Sequence, residues 1–381
     1  MLILPPLSLY IHMPWCIKKC PYCDFNSHEL KANLAEEEYI EALLADLQEH
    51  RDNIKGRTLH SIFIGGGTPS LFSASSITKL LDAIHSTLPF PKHLEITLEA
   101  NPGAIDQQQF QGFHQAGINR LSIGVQSFQE KKLKALGRIH SGDEAQRAVN
   151  IARKAGINNF NIDLMFGLPE QNIQDALYDL QMATSLSPTH ISWYQLNIEP
   201  HTAFYHRPPV LPHDETIWEM QTLGQGLLAK NNYKQYEVSA YSKEHYQCQH
   251  NNNYWEFGDY IGIGAGAHSK ITDPETQSII RCWKTKNPRD YLNPQKSFIA
   301  EQKTVPKNEI AFEFMLNALR LYKKIPVKLF IERTGLSIES ILEKVKIAQE
   351  NKLLVLSKNE KVFHTTTKGK RFLNNLLEIF I

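Results

Sequence analysis

From residue 7 to about residue 240 the chain alternates short apolar runs with amphipathic stretches, about one pair every 30–40 residues. No other feature constrains the fold as much. The runs Leu7–Met13, Ser61–Ile64, Leu94–Leu98, Arg120–Val125, Phe160–Met165 and Ile191–Leu196 have the length and composition of buried strands. Between them, apolar residues recur at helical spacing: Ile40, Leu43, Leu44 and Leu47; Ile77, Leu80, Leu81 and Ile84; Ile173, Ala176, Leu177 and Leu180. Six consecutive strand–helix units imply an α/β fold, a parallel sheet joined by right-handed crossovers. Polar and glycine-rich groups fall at the C-terminal end of strand after strand: His12 and Cys16, Gly65–Thr68, Glu99, Gln126, Asp163 and Asn197. An open doubly wound sheet gathers its ligand at one switch point, whereas a barrel spreads its site over many strand ends. The pattern therefore predicts a partial barrel of six units enclosing one central site.

Three regions follow. Residues 1–240 form the partial barrel. Residues 241–300 form a connecting segment rich in aromatic residues and Asn, with Tyr-Ile-Gly-Ile-Gly-Ala-Gly-Ala-His at 260–268 and a Pro- and Asn-bearing boundary from Asn287 to Pro306. Residues 301–381 read as a small α+β domain: a helix at Glu309–Leu321, a helix pair in Ile331–Glu350 and a hairpin in Leu353–Phe363 with a Ser-Lys-Asn-Glu turn. That order suggests a winged-helix-like module, and its mixed charge favours packing over DNA binding.

Lys and Arg total 41 against 40 Asp and Glu, which excludes the basic excess of a general nucleic-acid binder. No apolar run approaches the ~20 residues of a membrane span, so membrane contact is expected to be peripheral at most. The short N-terminal segment lacks a basic region and leads into a strand, unlike a signal peptide, and the expected compartment is the cytoplasm.

The five cysteines stand at 16, 20, 23, 248 and 282. An odd number, with three inside eight residues, is a poor disulfide framework and a good metal or cluster loop. Cys16-Ile-Lys-Lys-Cys20-Pro-Tyr-Cys23 can wrap an iron–sulfur cubane and leave one iron without a protein ligand. Spacing alone keeps zinc open, held by these thiolates with His12 or His28, although no second Cys-x-x-Cys exists to complete a ribbon.

Around that loop lie the polar strand ends. The glycines of Gly65-Gly66-Gly67-Thr68-Pro69 let backbone groups approach a small polar ligand closely. Glu99 offers a carboxylate to ribose hydroxyls or an ammonium group, and Gln126 and Asp163 occupy equivalent places. Arg138 can pair with a carboxylate, and a plain surface arginine is an equally good reading of it.

The spacing Cys-x3-Cys-x-aromatic-Cys after the first strand, with Gly-Gly-Gly-Thr-Pro after the second, resembles the radical S-adenosylmethionine (SAM) enzymes. The resemblance implies a [4Fe–4S] cluster on Cys16, Cys20 and Cys23, an open iron that chelates SAM, and one-electron reduction that yields a 5′-deoxyadenosyl radical. It also implies the partial (β/α)6 TIM-like barrel. More narrowly, Tyr10-Ile-His-Met-Pro-Trp-Cys16, Gly124-Val-Gln-Ser-Phe128, Leu136-Gly-Arg-Ile-His140 and Asp163-Leu-Met-Phe-Gly-Leu-Pro169 resemble the oxygen-independent coproporphyrinogen III oxidase family. By that similarity Tyr10, Gly66 and Glu99 touch the cluster-bound SAM. Gly67, Thr68, Gln126, Arg138, Asp163 and Asn197 match positions holding a second SAM in the dehydrogenase branch, with Tyr22 nearby.

That family divides into dehydrogenases and heme-binding chaperones of the HemW type. The dehydrogenases carry a fourth cysteine two residues after the third, where this chain has Phe25, and an N-terminal extension, where this chain enters its first strand by about residue 7. His250-Asn-Asn-Asn-Tyr254-Trp255 is similar to the His-Asn-x-x-Tyr-Trp phrase of the chaperones. An imidazole can serve as an axial heme ligand and aromatics can cover a porphyrin face. Read without the resemblance, His250 is an ordinary loop histidine beside core aromatics; Cys248 and His268 are weaker candidates still. The resemblance implies a heme chaperone with His250 as heme ligand, an electron donor for the cluster, and apo-hemoproteins of the respiratory chain as recipients. The other reading is oxidative decarboxylation of coproporphyrinogen III.

Overall fold

The computed structural model describes residues 1–381 except 32, 55, 105 and 358. All six expected strands are present: β1 Leu7–Met13, β2 Leu59–Gly66, β3 Glu95–Ala100, β4 Arg120–Gln126, β5 Phe160–Phe166 and β6 His190–Gln195. They pair in parallel and in chain order. Helices α1 Glu36–Glu49, α2 Ala74–Thr87, α3 Gln107–Gln115, α4 Gly142–Lys154, α5 Ile173–Ser185 and α6 Asp214–Lys230 follow the strands.

Each strand alternates its chemistry. Leu7, Leu9, Ile11 and Met13 of β1 and Leu121, Ile123 and Val125 of β4 join one core with Ile40, Leu43, Ile77, Leu80 and Leu81 of the helices. The intervening residues are polar and bond to one another on the other face: Ser8 to Ser61, Tyr10 to His12, Ser122 to Asp163, and Asn161 to both Ser122 and Asp163. A period of two puts these rows on opposite sides of the sheet, so the apolar row seats the helices and the polar row lines the lumen. Local signals set the helix starts. Ser141 with Glu144, and Asn172 with Asp175, form reciprocal capping boxes at α4 and α5.

Residues 241–300, expected as a connecting segment, contribute more sheet than that reading allowed. β7 Ala240–Ser242 runs antiparallel beside β6. β8 Asp259–Ile263 lies parallel to β1 on its free edge and makes a seventh parallel strand. β9 His268–Asp273, β10 Ser278–Lys284 and β11 Ile299–Thr304 continue outward as an antiparallel meander, and β11 falls inside the stretch read as a boundary. Between β7 and β8 a short helix, α7 Gln249–Trp255, closes the N-terminal end of the lumen. Its Gln249 and His250 N–H groups donate to the Glu95 carboxylate at 3.2 Å each, and Asn253 Nδ2 donates to Ser8 Oγ at 2.9 Å.

The C-terminal unit has its own core around Phe314, Phe330, Val345 and Phe363. Helices α8 Lys307–Ala318, α9 Val327–Thr334 and α10 Leu342–Glu350 precede the hairpin β12 Leu354–Ser357 and β13 Val362–Thr365, with Ile325–Pro326 as a third strand. Lys358 of the expected turn lies outside the described residues. The Arg320 guanidinium stacks 4.5 Å from the Trp255 ring and that of Arg371 4.3 Å from Trp218, joining this unit to α7 and α6. Among the described residues no helix is long and apolar enough to cross a membrane.

Candidate functional site

The cysteine loop leaves β1 and is fastened on three sides. Gly67 N–H donates to Met13 O at 2.7 Å and Thr68 N–H to Trp15 O at 2.8 Å, tying the glycine turn to the end of β1. Asn26 Nδ2 donates to Ala265 O and Lys286 O, at 2.9 and 2.8 Å, from the turn after β8 and the end of β10. Lys19 Nζ donates to Phe25 O and Ser27 O and closes the loop on itself. The glycines earn their place by contact with the chain itself: a Cβ on Gly66, at φ 111°, would lie 2.5 Å from the His12 ring, and one on Gly67 2.6 Å from Trp15 O.

Cys16, Cys20 and Cys23 are partly exposed free thiols. Each sulfur has a polar side chain beside it: Thr68 Oγ1 at 3.4 Å from Cys16, Arg138 Nη1 at 3.6 Å from Cys20, and Ser27 Oγ at 3.6 Å from Cys23. Burial pushes the Cys16 and Cys23 thiols up, so in the absence of a metal they hold their protons. Among the described residues no three Cys, His, Asp or Glu side chains converge on one metal-ion position. Thiolates dispersed around a loop, each with a hydrogen donor, fit a multi-iron cluster better than a single zinc ion.

Beneath the loop lies His12. Its Nε2 is 2.9 Å from Asn26 O, a carbonyl that can only accept, so Nε2 carries the proton and Nδ1 accepts from Tyr10 OH at 3.0 Å. Burial lowers its pKa to about 4, consistent with that neutral tautomer. Glu99 Oε2 accepts from Gly66 N–H at 3.0 Å. Burial, with Asp163 adding to it, pushes Glu99 up to about 8. Asp163 is also raised by burial, opposed by donors from Ser122 at 2.9 Å and Asn161 at 2.7 Å. Neither carboxylate has a cationic side chain at ion-pair distance among the described residues. Two buried carboxyls with no cation in direct contact, the Arg120 guanidinium being more distant, fit a ligand that carries its own positive charge, as the sulfonium and ammonium of SAM do.

The other expected residues divide. Gln126 stands at a bulge with φ 68° and accepts from Tyr194 OH at 2.9 Å; a bulge at a strand end re-aims a side chain. Tyr22 lies beside Arg138 and packs near Phe204. Asn197 is exposed at the rim beyond β6. His250 sits at the opposite end of the lumen from the cysteines. Its Nδ1 is 3.0 Å from Ser61 Oγ, its ring centroid is 5.1 Å from that of Phe63 and 6.3 Å from that of Tyr10, and it is 8% exposed. Burial lowers its pKa to about 3, so the imidazole is neutral.

Sequence reasoning passed over Asn101. Its Nδ2 donates to Thr68 Oγ1 at 2.8 Å and its Oδ1 accepts from Arg138 Nη2 at 2.8 Å. The available signal was its position two residues beyond Glu99, ahead of Pro102-Gly103. A cleft beside it is lined by Ile17, Cys20, Thr68, Asn101, Arg138 and His140.

Residues 10–183 match the family model described as the radical SAM superfamily, and residues 305–372 match the HemN C-terminal domain. The chain is 51% identical to heme chaperone HemW of Haemophilus influenzae, over 99% of this chain and 98% of that one. It is 49% identical to heme chaperone HemW of Escherichia coli over the whole of both. The chain belongs to the HemW family of heme chaperones. A more distant member, from Bacillus subtilis, is 32% identical over 98% of this chain and 99% of its own. Among solved structures, coproporphyrinogen III oxidase (HemN) from Escherichia coli, a radical SAM enzyme, superposes with a TM-score of 0.84 at 21% identity, covering 99% of this chain and 90% of that one. That likeness establishes the fold, the radical SAM partial barrel with its C-terminal domain.

Proposed function

We propose that this chain binds heme and hands it to apo-hemoproteins of the respiratory chain, working in the cytoplasm and touching membranes only peripherally. The observation that carries the reading is full-length similarity, at 49–51% identity, to proteins named as heme chaperones. Phe25, in place of a fourth cysteine, and the His250-to-Trp255 phrase support it over coproporphyrinogen turnover. Cys16, Cys20 and Cys23 would hold a [4Fe–4S] cluster, Tyr10, Gly66 and Glu99 would hold SAM, and an external electron donor would be a further partner. When bound, cluster and SAM supply one-electron chemistry at the C-terminal end of the lumen.

Heme is ligated by His250. With Nδ1 engaged by Ser61 Oγ, Nε2 is the nitrogen left for iron, and the ring is already neutral. At 8% exposure the ring admits a porphyrin only once α7 lifts from the barrel. The Glu95, Ser8 and Arg320 contacts of α7 are what must be released. Anaerobic heme titration of cluster-reconstituted protein, followed through the Soret band, tests this. Wild type will bind one heme, and His250→Ala will bind at least about tenfold more weakly, the loss of a coordinate bond. Retained affinity in the variant moves the site elsewhere; no binding in either protein sinks the chaperone reading and makes coproporphyrinogen turnover the assay to run.

SAM binding carries its own pH signature. Glu99, raised to about 8, must give up its proton to accept from a cationic ligand. Affinity for SAM will therefore rise with pH, by up to about tenfold per unit below pH 8, and level off above it. Glu99→Gln will flatten the profile. A pH-independent dissociation constant in wild type between pH 6.5 and 8.5 would exclude Glu99 from the contact.

A further inference from the structure

We propose that Asn101 is a positioning residue: through Thr68 and Arg138 it directs one polar hydrogen at Cys16 and one at Cys20, and so sets the reduction potential of the cluster those thiolates hold. The inference rests on the cluster reading above.

Donor and acceptor roles follow from the atoms. Arg138 can only donate, so the Asn101 atom facing its Nη2 at 2.8 Å is the carbonyl oxygen. The amide nitrogen then faces Thr68 Oγ1 at 2.8 Å and donates to it. With its oxygen accepting from Asn101, the Thr68 hydroxyl is free to turn its own proton to Cys16 Sγ, 3.4 Å away. On the other arm, the two Nη2 hydrogens of Arg138 are taken by Asn101 Oδ1 and by Gly124 O at 2.6 Å, which leaves Nη1 aimed at Cys20 Sγ at 3.6 Å.

That arrangement also says what Arg138 is not set to do. A guanidinium clamps a carboxylate with two hydrogens either end-on, through Nη1 and Nη2, or side-on, through Nε and Nη2. Both modes need an Nη2 hydrogen, and both are in use. Arg138 is thus placed with the cluster ligands rather than as a carboxylate clamp for a second SAM.

Hydrogen bonds to ligand sulfur stabilise the more negative, reduced cluster and raise its potential. The test is anaerobic reconstitution followed by an EPR-monitored redox titration of wild type, Thr68→Ser, Thr68→Val, Arg138→Met and Asn101→Ala. Iron and sulfide content is measured first; wild-type protein that assembles no cluster overturns the underlying reading, independently of any potential. With clusters assembled, Thr68→Val and Arg138→Met will each lower the midpoint potential, Asn101→Ala will lower it as well, and Thr68→Ser will leave it unchanged. A wild-type potential in Asn101→Ala overturns the proposal, and one in Thr68→Val overturns its Cys16 arm. Should Asn101→Ala fail to fold, Asn101→Ser, too short to reach both partners, takes its place, and a wild-type potential there overturns the proposal; Thr68→Val against wild type, a hydroxyl exchanged for a methyl with no change of charge, reads the Cys16 arm alone.

Discussion

Cys16→Ala, Cys20→Ala and Cys23→Ala will each lose the reconstituted cluster, while Cys248→Ser and Cys282→Ser will keep it at wild-type iron content. The loop offers three thiols, and removing one would leave two ligands for the proposed cubane, which already has one iron without a protein ligand. Neither remaining cysteine can take over. Cys248 is fully buried at the far end of the lumen, where its thiol lies 3.6 Å from Glu95 Oε1, and burial pushes it up to about 12. Cys282 is 4% exposed within β10. Iron and sulfide analysis, with visible absorbance after anaerobic reconstitution, reads the result directly. Full iron content in any one of the three loop variants would show that the ligand set is wrong. Loss in Cys248→Ser would bring the far end of the barrel into the cluster site.

The parts of this fold that were legible are those encoded over short distances. Six strands and their helices are spelled by a period of two followed by a period near 3.6, and capping residues such as Ser141 and Asn172 mark helix starts in place. The cysteine loop was legible because its ligands lie within eight residues of chain. What the sequence hid depends on long-range pairing. β8, Asp-Tyr-Ile-Gly-Ile, is too short and too rich in glycine and charge to read as a buried strand. It is one because Arg57 and Lys270 neutralise Asp259, at 2.9 and 3.0 Å, and Thr272 donates to the same carboxylate. None of those partners is adjacent in sequence. Asn101 was hidden for the same reason: its role exists only once Thr68 and Arg138 arrive from other strand ends. The His250 phrase was visible as a motif, but nothing in it tells that Glu95 draws the helix into the bottom of a barrel.

A second large effect should come from the buried ion pair that joins the meander to the barrel. Asp46 of α1 and Lys284 of β10 are both fully buried and in direct contact. The carboxylate also accepts from Tyr291 OH at 2.7 Å and from Gly264 N–H at 3.1 Å. Lys284→Met will destabilise the protein by about 3–5 kcal/mol, because the desolvated carboxylate is left without its counterion. Asp46→Leu combined with Lys284→Met will recover much of that loss, since no uncompensated charge then remains inside. Urea unfolding followed by far-ultraviolet circular dichroism measures both; a single-variant loss below about 1 kcal/mol would mean that the pair is hydrated or breathing. The damage should extend to the cysteine loop. Asp46 and Tyr291 fix Gly264, the next carbonyl along, Ala265 O, accepts from Asn26, and Asn26 O in turn orients His12 under the glycine turn. Lys284→Met is therefore expected to retain its cluster less well than wild type at temperatures where both remain folded. A global stability variant lacking this connection, such as Val345→Ala in the C-terminal core, will not.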